Sequence, residues 1–358
     1  MQKLLFSEYK LGRMTLNNRV VMAPMTRSRA VNNIPNELMV EYYGLRTNAG
    51  LLLTEGTSPS PNGLGYARIP GLFNDHHVLA WQKVTKDVHA KGGHIFVQLM
   101  HTGRVSHPHN LPDGAKILAP SPIGLKGDVW TDQKQMQPFP VPQEMGLEDI
   151  QNAIDEYTNS AKLAIAAGFD GVELHAANGY LIEQFINPAA NHRDDQYGGI
   201  TENRVRFALE IAQKVTEVIG GDRVGIRVSP YGVSNDLLIY DDIDNTYSLL
   251  AEKLSKIGLA YIHVADHSSM GAPVVSPLLK KLIRERFKGA YILSGGYDSE
   301  KAEQDLIAGN GDLVAFGKLF ISNPNLVDKL KQNRELQKSD ASTYYTPGEK
   351  GYTDYPAN

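Results

Sequence analysis

The chain contains no cysteine. That absence excludes disulfides, cysteine-ligated zinc, iron–sulfur clusters and thiol nucleophiles. Long apolar runs are missing too, so no segment reads as membrane-spanning. The run from Leu4 to Phe6, set among Lys3, Glu8, Lys10 and Arg13, is far too short for a secretory signal. Charge of one sign is not in excess: 36 Lys and Arg against 40 Asp and Glu leave a net charge of −4, without long blocks. A nucleic-acid or anionic-membrane footprint needs more than that. What remains is 42% hydrophobic and 21% charged, the balance of a soluble globular protein. A cytoplasmic monomer or homodimer acting on small molecules is the expectation.

Along the chain, short strand-like runs alternate with helical spacing. Leu5 to Asn18 reads as two extended pieces around Gly12, a hairpin (residues 1–18) outside the main repeat. The strand-like runs are Asn18 to Met25, Leu51 to Thr54, His94 to Met100, the stretch opening at Gly171, Val224 to Val228, Tyr261 to Ala265, Ala290 to Leu293 and Leu313 to Phe316. Helices are expected over Glu37 to Asn48, Asp75 to Lys91, Leu147 to Ala167, Thr201 to Ile219 with Thr201 as cap, Thr246 to Ile257, Pro277 to Phe287, Glu300 to Ala308 and Asn325 to Lys331. Short apolar strands between helices imply a parallel sheet covered on both faces. Eight such units over 358 residues favour one closed (β/α)8 TIM barrel, an α/β domain spanning 1–358. Residues 102–146, rich in proline and glycine without a sustained period, read as a long capping loop after the third strand. The tail, 342–358, holds four tyrosines and little else that would pack; it is expected to lie over the site.

In such a barrel, function sits at the C-terminal ends of the strands. Gly171 to Tyr180 (GVELHAANGY) alternates apolar and polar residues and then turns. If Val172 and Leu174 face the helices, Glu173 and His175 face inward, and the turn delivers Asn178 and Tyr180 beside them. The plain alternative is a satisfied buried histidine and an ordinary polar loop. Ser294-Gly295-Gly296 and Gly317-Lys318 follow the last two strands, where this fold commonly holds a phosphate on backbone N–H groups. Gln98 and Arg227 point inward by parity, and a buried arginine needs an anionic partner. Glu173 on the neighbouring strand could be that partner, or an electron-rich ring could. A phosphate site, inward amide and guanidinium groups and a donor pair beside a phenol fit bound flavin mononucleotide (FMN). They fit a metal poorly, since no H-E-x-x-H or clustered carboxylates stand at the strand ends. The one lysine at a strand end, Lys318, is placed for phosphate rather than a Schiff base.

Asn18–Thr26 (NRVVMAPMT), Gln98–Arg104 (QLMHTGR), Gly171–Tyr180, Asn191–Phe207 (NHRDDQYGGITENRVRF) and Tyr352–Pro356 (YTDYP) together resemble the Old Yellow Enzyme family of FMN-dependent ene-reductases over nearly the full length. The QLMH and asparagine-histidine-arginine segments resemble its bacterial xenobiotic-reductase and N-ethylmaleimide-reductase branch. The resemblance implies that Pro24, Met25, Thr26, Gly56, Gln98 and Arg227 contact the flavin ring, and that Ser294, Gly295, Gly296, Gly317 and Lys318 hold its phosphate. His175 and Asn178 would bind the substrate's carbonyl or nitro oxygen, and Tyr180 would supply a proton after hydride leaves flavin N5. Thr26, Tyr66, Met100 and Tyr345 would wall the substrate pocket. NAD(P)H would visit the same pocket in a ping-pong cycle, which accounts for the lack of a G-x-G-x-x-G segment. Reduction of nitroaromatics or nitrate esters, or a flavin-binding barrel without turnover, are the alternatives. Two departures stand out: Lys318, where the family usually has arginine, implies weaker FMN binding. Met100, where relatives often carry tryptophan, implies a roomier pocket.

Overall fold

The computed structural model describes residues 3–356. A hairpin of β1 (Tyr9–Leu11) and β2 (Met14–Leu16) comes first, followed by β3 (Val20–Met22), α1 (Glu37–Gly44), β4 (Leu51–Leu53), α2 (Asp75–Ala90) and β5 (Ile95–Leu99). The connection after β5 holds β6 (Leu118–Ala119), β7 (Asp128–Thr131), β8 (Gln135–Pro138) and β9 (Gln143–Glu144). Then come α3 (Leu147–Ala166), β10 (Gly171–Ala176), α4 (Leu181–Ile186), α5 (Thr201–Arg204), α6 (Arg206–Ile219), β11 (Val224–Val228), α7 (Ile243–Ile257) and β12 (Tyr261–Ala265). The chain continues through α8 (Pro277–Arg286), β13 (Ala290–Ser294), α9 (Ser299–Ile307), β14 (Leu313–Phe316), α10 (Lys318–Ser322) and α11 (Leu326–Lys331). Strands β3, β4, β5, β10, β11, β12, β13 and β14 close in that order into a parallel barrel, β14 pairing with β3. The expected (β/α)8 barrel is therefore the observed fold.

Alternation along each strand divides the core. Val20, Met22, Val172, Leu174, Ile226, Val228, Ile262 and Val264 pack outward with the helices. Val21, Leu51, Leu53, Phe96, Tyr261, Ile292 and Leu313 fill the interior, where Leu11, Met14 and Leu16 of the hairpin join them. The hairpin thus plugs the barrel, and burying each aliphatic side chain contributes roughly 1.5–3 kcal/mol. One floor contact depends on glycine: a Cβ on Gly225 would lie 2.0 Å from the Tyr261 ring. The interior is lopsided above this floor. Gln98, Glu173, His175, Arg227 and His263 come from the adjacent strands β5, β10, β11 and β12, whereas β13, β14, β3 and β4 give mostly aliphatic groups.

Three local expectations are corrected. Thr201 does not cap one long helix. Ile200 holds the cap position, the helix breaks at Val205, and the Thr201 hydroxyl bonds to Asp242. Arg204 pairs with the same carboxylate at 2.8 Å, so the break serves to tie the loop before α7. The capping loop has regular structure: β7 and β8 form an antiparallel hairpin, and β6 pairs in parallel with β9. The tail packs well. Tyr352 is fully buried and stacks on Tyr42 at 4.1 Å. Buried Arg27 and Arg29 donate to the carbonyls of Thr343, Tyr344, Gly348, Lys350 and Gly351.

Candidate active site

A cavity of about 1260 Å³ opens at the C-terminal end of the barrel. Single-ligand pockets run to roughly 300–1,000 Å³, so a cofactor and a substrate fit here together. Pro24, Met25 and Thr26 line it from the end of β3, Gly56 from β4, and Gln98 and Met100 from β5. His175, Asn178 and Tyr180 come from β10 and its turn, and Arg227 from β11. Ser294 ends β13, and Gly295 and Gly296 follow it; Gly317 and Lys318 follow β14; Tyr66 and Tyr345 stand on loops. Every site residue expected from the sequence therefore borders one space.

Register places His175 beside Arg227, and Arg227 beside His263. Glu173 is fully buried below them, accepting from Gln98 Nε2 at 2.7 Å and from His263 Nδ1 at 2.9 Å. Arg227 enters no ion pair or hydrogen bond among the described residues, and Glu173, held by Gln98 and His263, acts on it through charge alone. Its Nε, His175 Nδ1 and His263 Nε2 are all buried without a partner. Burial, reinforced by Arg227, His263 and His267, holds His175 well below the usual histidine range, so its imidazole is neutral. Burial likewise raises Tyr180 and keeps its phenol protonated. The Tyr180 hydroxyl donates to Tyr66 at 3.2 Å, and its ring meets the His175 ring edge-on at 4.9 Å.

The turn carrying Asn178 is fixed from below. Asn178 lies in the left-handed region at φ +60°. Its N–H donates to Ser229 Oγ at 2.8 Å, and Ser229 in turn donates to Glu183. Glu183 also accepts from Gly179 N–H at 2.7 Å and from the Tyr247 hydroxyl at 2.7 Å. Burial outweighs these donors and pushes Glu183 up to about 7. Gly317 shows a different demand. At φ −99° and ψ −87° its backbone lies outside the α and β regions that L side chains favour, and a Cβ would meet nothing closer than 3.7 Å. The backbone angles suit glycine, and the space beside it stays open. Lys318 beside it is exposed and enters no ion pair among the described residues.

Residues 4–337 match the model of the NADH:flavin oxidoreductase / NADH oxidase family. The chain is 39% identical to 12-oxophytodienoate reductase 7 of Oryza sativa subsp. japonica, over 99% of this chain and 95% of the relative. A probable flavin mononucleotide-dependent alkene reductase of Leishmania infantum is 38% identical, over 97% of this chain and 95% of its own length. The solved old yellow enzyme homologue from Zymomonas mobilis superposes with a TM-score of 0.94 at 37% identity, covering 98% of this chain and 99% of that one. The chain belongs to the Old Yellow Enzyme family of FMN-dependent ene-reductases.

Within this Old Yellow Enzyme barrel, several cavity residues lie outside the strand-end motifs. His267, just past β12, bonds to Asn178 Oδ1 at 2.6 Å, and Asn235 Nδ2 donates to the Asn178 carbonyl at 2.7 Å. Both lie at the C-terminal side of a barrel strand, and position was the available signal. Val129, Trp130, Met136 and Phe139 reach the cavity from the β7–β8 hairpin. Arg68 bridges Asp132 of that hairpin to the carbonyls of Tyr345 and Ser28. The Asp-Val-Trp-Thr alternation of β7 was the sequence trace of this element. Met100, 1% exposed, packs against Gly56 while still bordering the cavity.

Proposed function

We propose that this chain reduces activated C=C bonds of α,β-unsaturated carbonyl or nitro compounds, with Tyr180, His175 and Asn178 as the catalytic residues. One observation carries the reading. Arg227, a buried cation with no hydrogen bond or ion pair among the described residues and only the more distant charges of Glu173 and Glu183 to offset it, faces a cavity large enough for a ring and a substrate. Burying a charge costs heavily unless something compensates it, and a ring that turns anionic on reduction does so. FMN fits the residues present. Gln98 and Arg227 would take its polar edge, with Pro24, Met25, Thr26 and Gly56 against the ring. Ser294, Gly295, Gly296, Gly317 and Lys318 would hold the phosphate, and Gly317 leaves the room such an approach needs.

When bound and reduced by NAD(P)H, FMN would supply the hydride that the alkene β-carbon receives. His175 and the Asn178 carboxamide donate to the substrate oxygen and stabilise the negative charge that builds there, as an oxyanion hole does. Tyr180, held protonated by burial, gives its proton to the α-carbon. Tyr66, hydrogen-bonded to it, is placed to return a proton. The cavity volume and Met100 support acceptors of some bulk. A cytoplasmic setting, as a monomer or homodimer, completes the proposal. Anaerobic addition of NADPH should bleach the flavin absorbance of the purified protein, and 2-cyclohexenone should restore it. A colourless protein overturns the reading; absorbance restored by a nitroaromatic but not by the enone shifts it to nitro reduction.

A further inference from the structure

We infer that His267 is a positioning residue for the reaction: its Nε2–H holds Asn178 Oδ1, so that the Asn178 Nδ2 donor points at the substrate oxygen. The inference rests on the reading of Asn178 as a substrate-binding donor. The backbone of Asn178 is pinned on both sides, its N–H by Ser229 and its carbonyl by Asn235. What stays free is rotation of the carboxamide, whose two ends differ in sign. Turned the wrong way, it would set its oxygen against the substrate's oxygen.

His267 removes that freedom. Its Nε2 lies 2.6 Å from Oδ1, and a carbonyl oxygen only accepts, so the proton sits on Nε2. The backbone that carries the imidazole is itself anchored. It opens a short turn, His267–Met270, whose preceding Asp266 accepts from Ser268 N–H at 3.0 Å and pairs with Lys280 at 2.6 Å. Burial and the nearby Arg227 push His267 down to about 4, so at neutral pH the ring has one N–H, and Asn178 receives it.

The test uses the FMN-loaded enzyme, reduced anaerobically with dithionite to bypass NADPH, and mixed with 2-cyclohexenone while flavin reoxidation is followed. One neutral hydrogen bond corresponds to a change of about five- to tenfold. His267→Ala should lower the ratio of limiting rate to half-saturating enone concentration by about that factor. His267→Gln, whose amide N–H can reach the same oxygen, should recover most of the loss. Reoxidation by dioxygen, which needs no carbonyl donors, should be unchanged in both. His267→Leu serves if the alanine variant does not retain FMN. In an Asn178→Ala background, removing His267 should change almost nothing further. An unimpaired His267→Ala enzyme beside an impaired Asn178→Ala enzyme overturns the inference and leaves the donor reading intact. An unimpaired Asn178→Ala enzyme overturns the donor reading itself. A full extra loss in the double variant, or slowed dioxygen reoxidation, assigns His267 a general structural role and also overturns the inference.

Discussion

Tyr180 and Lys318 give the sharpest residue-scale expectations. Tyr180→Phe keeps the ring edge against His175 but removes the proton, so enone reduction should fall by roughly 10²-fold or more. FMN retention and reduction by NADPH should hold, as stopped-flow traces would show. Lys318→Arg should tighten FMN by several-fold, because a guanidinium offers a bidentate fork where an ammonium offers a point charge; equilibrium dialysis of apoprotein against FMN measures it. His175, Asn178 and Tyr180 were legible in the sequence because they are nearly consecutive and one turn delivers them. Arg227 was legible only by half. Parity gives the face a side chain points to, but not its partner. In the fold, Gln98 and His263 take the hydrogen bonds of Glu173 and leave Arg227 without one. His267 lies beyond the end of β12, in a turn whose path no periodicity fixes.

Among the elements, the barrel strands were the easiest to read, since each is a short apolar run between helical stretches. The β7–β8 hairpin was hidden because its strands carry mostly exposed polar groups, so the alternation is weak. The turn after β10 depends on Glu183, and its titration is measurable. A carboxyl raised from 4.5 to about 7 binds its proton more tightly in the folded state. Its stabilising share is complete below pH 4.5 and is lost as pH rises through about 7. Glu55, also pushed up to about 7 by burial, acts in the same direction. Each shift amounts to roughly 3 kcal/mol at most. Between pH 5.5 and 8.5, the wild-type melting temperature should therefore fall further than that of Glu183→Gln. Equal slopes in fixed-rate thermal scans would show that Glu183 does not titrate in this window.

For the whole molecule, the tail and the plug matter most. Tyr352, far along the sequence from Tyr42, stacks on it inside a clasp made by Arg27 and Arg29. A tail with little apolar content did not announce this, because its burial comes from arginine–carbonyl bonds rather than from a hydrophobic stripe. Truncation of a buried aromatic costs about 3–5 kcal/mol. Tyr352→Ala should lower the melting temperature accordingly and loosen Tyr344 and Tyr345 at the cavity, raising FMN dissociation as read by fluorescence. At the opposite end, Leu11, Met14 and Leu16 stop the barrel like a cork. Among the described residues, the cavity then opens at the other end of the barrel. If the electron donor and the electron acceptor take turns in that cavity, as the proposed function requires, a crowd of either visitor should shut out the other. Steady-state rates that decline at high enone and recover with more NADPH would register that queue.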